Sequence, residues 1–191
     1  MRPAVFLDRD GVLIVEAVYL SETHQVSLIP GAAAAVRRLN DAGFAVVVVT
    51  NQSGVARGLF PESQVGVVHD HIANLLHAEA AAVIDRFDYS PFHPDASIEQ
   101  YRRDSDCRKP RPGMLLRSAS KLGLDLPRSW MIGDRRSDLE AGAAAGCRTI
   151  LVRTGYGTEC HVTAPNHELK LVAVVPTVVE AVEQILATRK T

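Results

Sequence analysis

The sequence predicts an α/β fold: a mostly parallel central sheet between two layers of helices, formed by a single domain over residues 1–191. Three observations carry that prediction. Two apolar runs, Ala4-Val5-Phe6-Leu7 and Phe44-Ala45-Val46-Val47-Val48-Val49, have no polar break, which suits strands covered on both faces. Segments of helical period alternate with the apolar runs along the chain, the pattern of a parallel α/β sheet. Carboxylates and other polar residues follow the runs directly, and open α/β sheets bind ligands just beyond the carboxyl ends of their strands.

The elements follow in order. The first strand ends in Asp8-Arg9-Asp10-Gly11, and Val12 to Gln25 reads as an irregular or hairpin-like excursion. Pro30-Gly31 opens an alanine-rich helix through Ala42, with Gly43 suited to its C-terminal cap. The second strand, rich in β-branched residues, ends in Thr50-Asn51-Gln52-Ser53-Gly54. A helix is expected from about Glu62 to Ala82, where Val65, Val68, Ile72, Leu75 and Leu76 recur at helical spacing. Arg86 to Tyr89 is a weaker strand. Ser90 to Arg111 has no periodic pattern, and long loops of this kind are often functional. A helix starts at Pro112-Gly113 and ends near Gly123. Trp130-Met131-Ile132 is a strand ending in Gly133-Asp134, and a helix runs from Ser137 to Ala145, closed by Gly146. Thr149 to Val152 is a strand, Thr154 to Leu169 has no clear pattern, Leu171 to Val175 is an edge strand, and Thr177 to Leu186 a last helix.

Composition narrows the function classes. A chain of 191 residues suits one domain with a full core, and 47% hydrophobic with 23% charged residues is globular rather than disordered. The net charge is −1 and no long basic run occurs, so neither nucleic acid nor an anionic membrane is an expected partner. No apolar stretch approaches a membrane span. The N-terminus leads straight into the first strand, so no signal peptide is expected. Cys107, Cys147 and Cys160 are three and widely spaced, and neither a disulfide framework nor a four-cysteine metal site is expected from them. A monomer in a reducing cytoplasm is the expectation.

Four strand ends converge in a parallel sheet. The first brings Asp8 and Asp10, and the second Thr50, Asn51, Ser53 and Gly54. The third leads into the loop with Arg108-Lys109-Pro110. The fourth brings Asp134, with Asp138 four residues on. Singly, each has a structural explanation: an acidic turn, a turn after a strand, a solvated lysine, a helix cap. Together they supply one chemistry. A carboxylate can attack a phosphoryl group, and a second can protonate the leaving oxygen. A hydroxyl and backbone donors can hold the phosphoryl oxygens while a lysine offsets developing charge. The like charges of Asp8 and Asp10 call for a cation, and magnesium suits hard carboxylate oxygens.

These residues resemble the haloacid dehalogenase superfamily of phosphotransferases. Asp8-Arg9-Asp10-Gly11 resembles its first motif, Thr50-Asn51 the second, Lys109 the third, and Gly133-Asp134-Arg135-Arg136-Ser137-Asp138 the fourth. Within it, Thr50 to Gly58 and Cys107-Arg108-Lys109-Pro110-Arg111-Pro112-Gly113-Met114 are most similar to the D-glycero-D-manno-heptose 1,7-bisphosphate phosphatases and the related histidinol-phosphatase domains. The resemblance implies a Rossmann-like, three-layer fold and a magnesium-dependent phosphatase acting on a small phosphosugar. It implies Asp8 as nucleophile, Asp10 as general acid and base, and Thr50 and Lys109 as phosphoryl ligands. Magnesium would be held by Asp8, the Asp10 carbonyl and Asp134. Glu16, Tyr19, Thr50, Asn51, Gln52, Ser53, Arg108, Lys109 and Arg135 would face the substrate. No large insertion follows either of the first two motifs, so no separate cap domain is expected.

Two departures from the family stand out. The family's structural zinc is held by a Cys-x-His and a Cys-x-Cys pair, where this chain reads Ser90-Pro91-Phe92 and Ser105-Asp106-Cys107. Cys107 and the neighbouring His93 are too few for a structural zinc. The expectation is a zinc-free loop held by its prolines and by Phe92 and Tyr101. The second departure is the apolar Val12-Leu13-Ile14 after the first motif. His69, His71, His161 and His167 read as solvated or structural, and Cys147 as core. The alternatives are a phosphatase of histidinol phosphate or another small phosphomonoester, a phospho-acceptor signalling domain, and a catalytically dead binding module. Asp8 follows the first strand, whereas signalling receivers place the acceptor after a middle one.

Overall fold

The computed structural model describes residues 1–188, so the last three residues of the expected 1–191 unit lie outside the description. Six strands form one sheet, β1 Ala4–Leu7, β2 Ala45–Asn51, β3 Arg86–Ser90, β4 Trp130–Gly133, β5 Arg148–Val152 and β6 Leu171–Val175. Their order across the sheet is β3-β2-β1-β4-β5-β6, and every neighbouring pair is parallel. The helices are α1 Ala32–Asp41, α2 Ser53–Ala56, α3 Ser63–Ala80, α4 Gly113–Leu122, α5 Arg136–Ala144 and α6 Val178–Ala187. The sequence left α2 as part of a turn, because a single helical turn carries no periodic signal.

The unbroken apolar strands are explained by two cores, one on each face of the sheet. Val5 and Leu7 of β1, Val46 and Val48 of β2, and Trp130 and Ile132 of β4 point into a core shared with α1, α3 and α6. The alternate residues, Ala4, Phe6, Ala45, Val47, Val49 and Met131, point into a second core with Met114, Leu115 and Ala119 of α4 and Ala141 of α5. A strand has a side-chain period of two, so a strand between two cores has no face left for a polar residue. Val12, Leu13 and Ile14 are fully buried in the first core. The apolar departure after the first motif thus pins the excursion to the body, with the Ile29 N–H donating to Leu13 O at 2.9 Å. Among the described residues no helix is long and apolar enough to cross a membrane.

Chain order and sheet order diverge at one place. From β1 the chain moves outward to β2 and β3, then returns to lay β4 against the other side of β1. A crevice opens at such a reversal, beyond the carboxyl ends of the two strands. Asp8 follows β1 and Asp134 follows β4, so the reversal brings them together.

His69 on α3 is buried and stacks on Phe87, with ring centroids 4.7 Å apart. Burial pushes its pKa down to about 3, and nearby Arg9 adds to the effect. The unfolded chain, with an ordinary His, binds this proton near pH 6.5 and the native protein does not. The stabilising contribution is therefore complete above about pH 6.5. It is lost as pH falls towards 3, at up to about 1.4 kcal/mol per pH unit. His69→Phe should remove this slope. In urea unfolding, wild type should lose stability relative to the variant from pH 6.5 to 4; parallel curves would contradict the assignment.

Candidate active site

A cleft of about 480 Å³ opens at the reversal point. Asp8, Asp10, Glu16, Tyr19, Thr50, Asn51, Gln52, Ser53, Arg108, Lys109 and Arg135 all line it, together with Arg9, Ser137, Asp138 and Tyr156, which carried no role in the sequence reading. Its size suits a small ligand.

At its base, carboxylate oxygens of Asp8, Asp134 and Asp138 lie within 4.8 Å of one another. Asp8 Oδ1 accepts from the Arg9 N–H at 2.7 Å and forms an ion pair with Lys109 Nζ at 2.9 Å. No hydrogen bond reaches Asp8 Oδ2 from the described residues. Burial pushes the Asp8 carboxyl well above the usual carboxylate range, against the pull of Lys109, and the charges of Asp138, Asp134 and Asp10 add to the rise. Asp134 is fully buried, and burial with the Asp138 charge raises it to about 6. Its Oδ2 accepts from the Tyr156 N–H at 2.8 Å, while its Oδ1 has no hydrogen-bond partner among the described residues. Gly11 and Gly155 close over this carboxylate at φ +76° and +57°, and a Cβ on either would land on it.

Lys109 reaches this base from a loop far along the chain. Asn51 sets its course, donating from Nδ2 to Lys109 O and accepting from the Lys109 N–H, both at 3.0 Å. The ammonium then meets Val49 O at 2.8 Å, Asp8 Oδ1 at 2.9 Å and Asp138 Oδ1 at 2.7 Å. Burial opposes the charge, but Asp138 and Asp8 outweigh it and the pKa of Lys109 is raised. Val49 O accepts a hydrogen bond from the ammonium, while Asp8 and Asp138 pair with its charge.

Asp10 diverges from the buried trio. Its carboxylate takes a two-pronged contact from Arg9, Nη2 to Oδ1 at 3.0 Å and Nε to Oδ2 at 3.1 Å. Gln52 Nε2 donates to Asp10 Oδ2 at 3.1 Å and to Thr50 Oγ1 at 2.8 Å. Asn51 and Gln52, expected to face the substrate, line the cleft but spend their amides on Lys109, Asp10 and Thr50. The metal set read from the motifs named Asp10, through its carbonyl, and omitted the Asp138 carboxylate. Asp138 is fully buried, and its Oδ2 accepts from the Arg135 N–H at 2.9 Å at the start of α5. The available signal was its place in the fourth motif, four positions after Asp134.

At the mouth, burial pushes Glu16 up to about 7, helped by the charges of Asp10 and Asp134. Arg108 donates from Nη1 to Phe92 O at 3.2 Å, and burial with neighbouring Arg57 lowers its pKa. The loop behind it is ordered by aromatic and ionic contacts. The Phe92 and Tyr101 rings meet at 6.2 Å, and Arg103 lies 3.7 Å over Phe92. Glu62 accepts from the hydroxyls of Tyr89 at 3.0 Å and Tyr101 at 2.9 Å, and Arg111 pairs with Asp104. The aromatic pair was legible in the sequence; Glu62 was not. Cys107 Sγ accepts from Arg117 Nη1 at 2.7 Å.

Comparison with known proteins agrees with this geometry. The family described as haloacid dehalogenase-like hydrolase matches residues 5–78, and one described as HAD-hydrolase-like matches residues 106–181. The D-glycero-beta-D-manno-heptose-1,7-bisphosphate 7-phosphatase of Escherichia coli (strain K12) is 45% identical over 154 residues, 80% of each chain. The D-glycero-D-manno-heptose-1,7-bisphosphate 7-phosphatase of Thermosynechococcus vestitus is 45% identical over 159 residues, 82% of this chain and 81% of that one. Among solved structures, the D,D-heptose 1,7-bisphosphate phosphatase of B. bronchiseptica, complexed with magnesium and phosphate, superposes with a TM-score of 0.84. It is 32% identical, over 97% of this chain and 99% of that one. With identity of this extent and the same fold, the chain belongs to the haloacid dehalogenase superfamily of hydrolases and, within it, to the heptose bisphosphate phosphatase subfamily.

Proposed function

We propose that this protein is a cytoplasmic, magnesium-dependent phosphatase that removes the 7-phosphate of D-glycero-D-manno-heptose 1,7-bisphosphate through an aspartyl-phosphate on Asp8. The observation that carries the reading is the buried trio Asp8, Asp134 and Asp138 with a single ammonium, Lys109, among them. Burying like charges together is unfavourable without a counter-ion. The orphaned Oδ1 of Asp134 is a hard oxygen with nothing to bind. The residues fit a magnesium ion, held by Asp8, Asp134 and the Asp10 carbonyl, with Asp138 beside them. Bound magnesium would offset the charge of the phosphoryl oxygens and of the carboxylates around them.

The chain's own residues supply the remaining steps. Asp8 Oδ2 attacks phosphorus and the P–O bond to the sugar breaks. Lys109 holds Oδ1 throughout, which fixes the attacking carboxylate in one orientation. In the acid step Asp10 carries a proton in place of one of the contacts donated by Arg9 or Gln52, and gives it to the departing sugar oxygen. It then takes a proton from the water that cleaves the aspartyl-phosphate, which restores both carboxyl groups and releases phosphate. Thr50 Oγ1 accepts from Gln52, so its own proton is directed to a phosphoryl oxygen. Family membership sets aside the signalling-domain alternative. Free Cys107, Cys147 and Cys160 suit a reducing compartment.

The loop of residues 90–111 is read as zinc-free because Ser90, Phe92 and Ser105 cannot replace cysteine and histidine ligands, and contacts of Glu62, Arg103 and Arg117 help to hold it. One experiment tests both metals. Purified protein should contain no stoichiometric zinc. It should turn over heptose bisphosphate faster than histidinol phosphate, lose activity in chelator and recover it with magnesium. Turnover that survives exhaustive chelation would remove the magnesium reading, and preference for histidinol phosphate the substrate. One zinc per chain, lost in Cys107→Ser, would restore the family's metal site.

A further inference from the structure

We propose that Tyr156 is a positioning residue for substrate affinity: its ring is the platform that holds the Arg135 guanidinium over the mouth of the cleft. The proposal rests on the reading that Arg135 faces the substrate. The Arg135 guanidinium carbon lies 3.5 Å from the centroid of the Tyr156 ring, and both residues line the cleft. Among the described residues Arg135 forms no ion pair, so the ring is the partner that fixes its head group.

The platform is itself rigidly placed. Tyr156 lies in a short 3-10 helix, Gly155–Thr158, that follows β5. Its backbone N–H is anchored on Asp134 Oδ2. Gly155 packs against that same carboxylate, and a Cβ on Gly157 would strike Val152 O. One residue thus holds two consecutive residues after β4, Asp134 through its amide and Arg135 through its ring. The form of the contact also matters. A carboxylate partner would occupy the guanidinium edge, whereas a stacked ring covers only the face and leaves the in-plane N–H donors free. An arginine otherwise loses much of its rotamer freedom when it is immobilised. Stacking meets part of that before the ligand arrives. The chemistry this presents, a row of fixed donors in a cleft that Glu16 also lines, fits the hydroxyl or phosphate oxygens of a phosphosugar.

The test is steady-state kinetics of Tyr156→Leu, Tyr156→Phe, Arg135→Gln and the double variant Tyr156→Leu/Arg135→Gln on heptose bisphosphate, with p-nitrophenyl phosphate as a probe lacking the sugar. A cation–π contact at a partly exposed site corresponds to about a threefold to tenfold effect. Tyr156→Leu should raise KM for the bisphosphate by that factor with kcat within about twofold. Tyr156→Phe should restore KM, and the aryl phosphate should show a smaller change. The double variant should be no worse than Arg135→Gln alone. Tyr156→Gln replaces Tyr156→Leu if the latter does not fold. An unchanged KM in these variants while Arg135→Gln raises it would overturn the proposal. So would Tyr156→Phe being as poor as Tyr156→Leu, since the hydroxyl and not the ring face would then be the active part. If Arg135→Gln itself leaves KM unchanged, the substrate-facing reading of Arg135 fails and takes the proposal with it.

Discussion

Asp8→Asn should lower turnover by on the order of 10⁴-fold or more, because the amide cannot form the acyl phosphate. The same substitution should not weaken the fold. The Asp8 charge is disfavoured by burial and by Asp138, Asp134 and Asp10, with Lys109 and the Arg9 N–H in its favour, and asparagine resembles the neutral carboxyl. Without magnesium, the variant should melt no lower than wild type. An enzyme that keeps appreciable activity as Asp8→Asn would need a different nucleophile. A variant that unfolds would show that the Asp8–Lys109 pair stabilises the fold.

Lys109→Met should have the second largest effect, and here activity and stability fall together. The methionine fills the space but leaves Asp8 and Asp138 without their shared ammonium, and removing one partner of a buried ion pair costs about 3–5 kcal/mol. Turnover should fall about 10²–10³-fold, the usual loss when a charge-stabilising group is removed from an enclosed site. Urea unfolding in chelator measures the first and initial rates the second. Unchanged stability would mean that the carboxylates take up protons at no cost, contrary to the ion pairs at 2.9 and 2.7 Å.

Much of the fold was legible because its signals are local. Asn51 and Lys109 show where legibility stopped. Both were identified as site residues from their place after strands, yet their hydrogen bonds to each other span 58 positions, and no periodicity connects such distant segments. Asp138 was visible as a carboxylate in the right motif, but whether it faced solvent or the interior depended on how α5 packs over β4. Tyr156 gave no signal, since a tyrosine between two glycines reads as an ordinary turn.

The sequence by itself determined which segments are strands, that those strands are covered on both faces, and that their carboxyl ends are acidic. Burial and side-chain period are properties of a segment, and a segment carries them wherever it is placed. Only the tertiary structure decided which strands are neighbours. Laying β4 against β1 rather than beside β3 brings Asp134 to Asp8. It also opens the cleft at the reversal, and leaves Asp8 and Asp138 to share one lysine beside Asp134. That choice is made by packing two cores at once against one sheet, and it belongs to no single stretch of the chain.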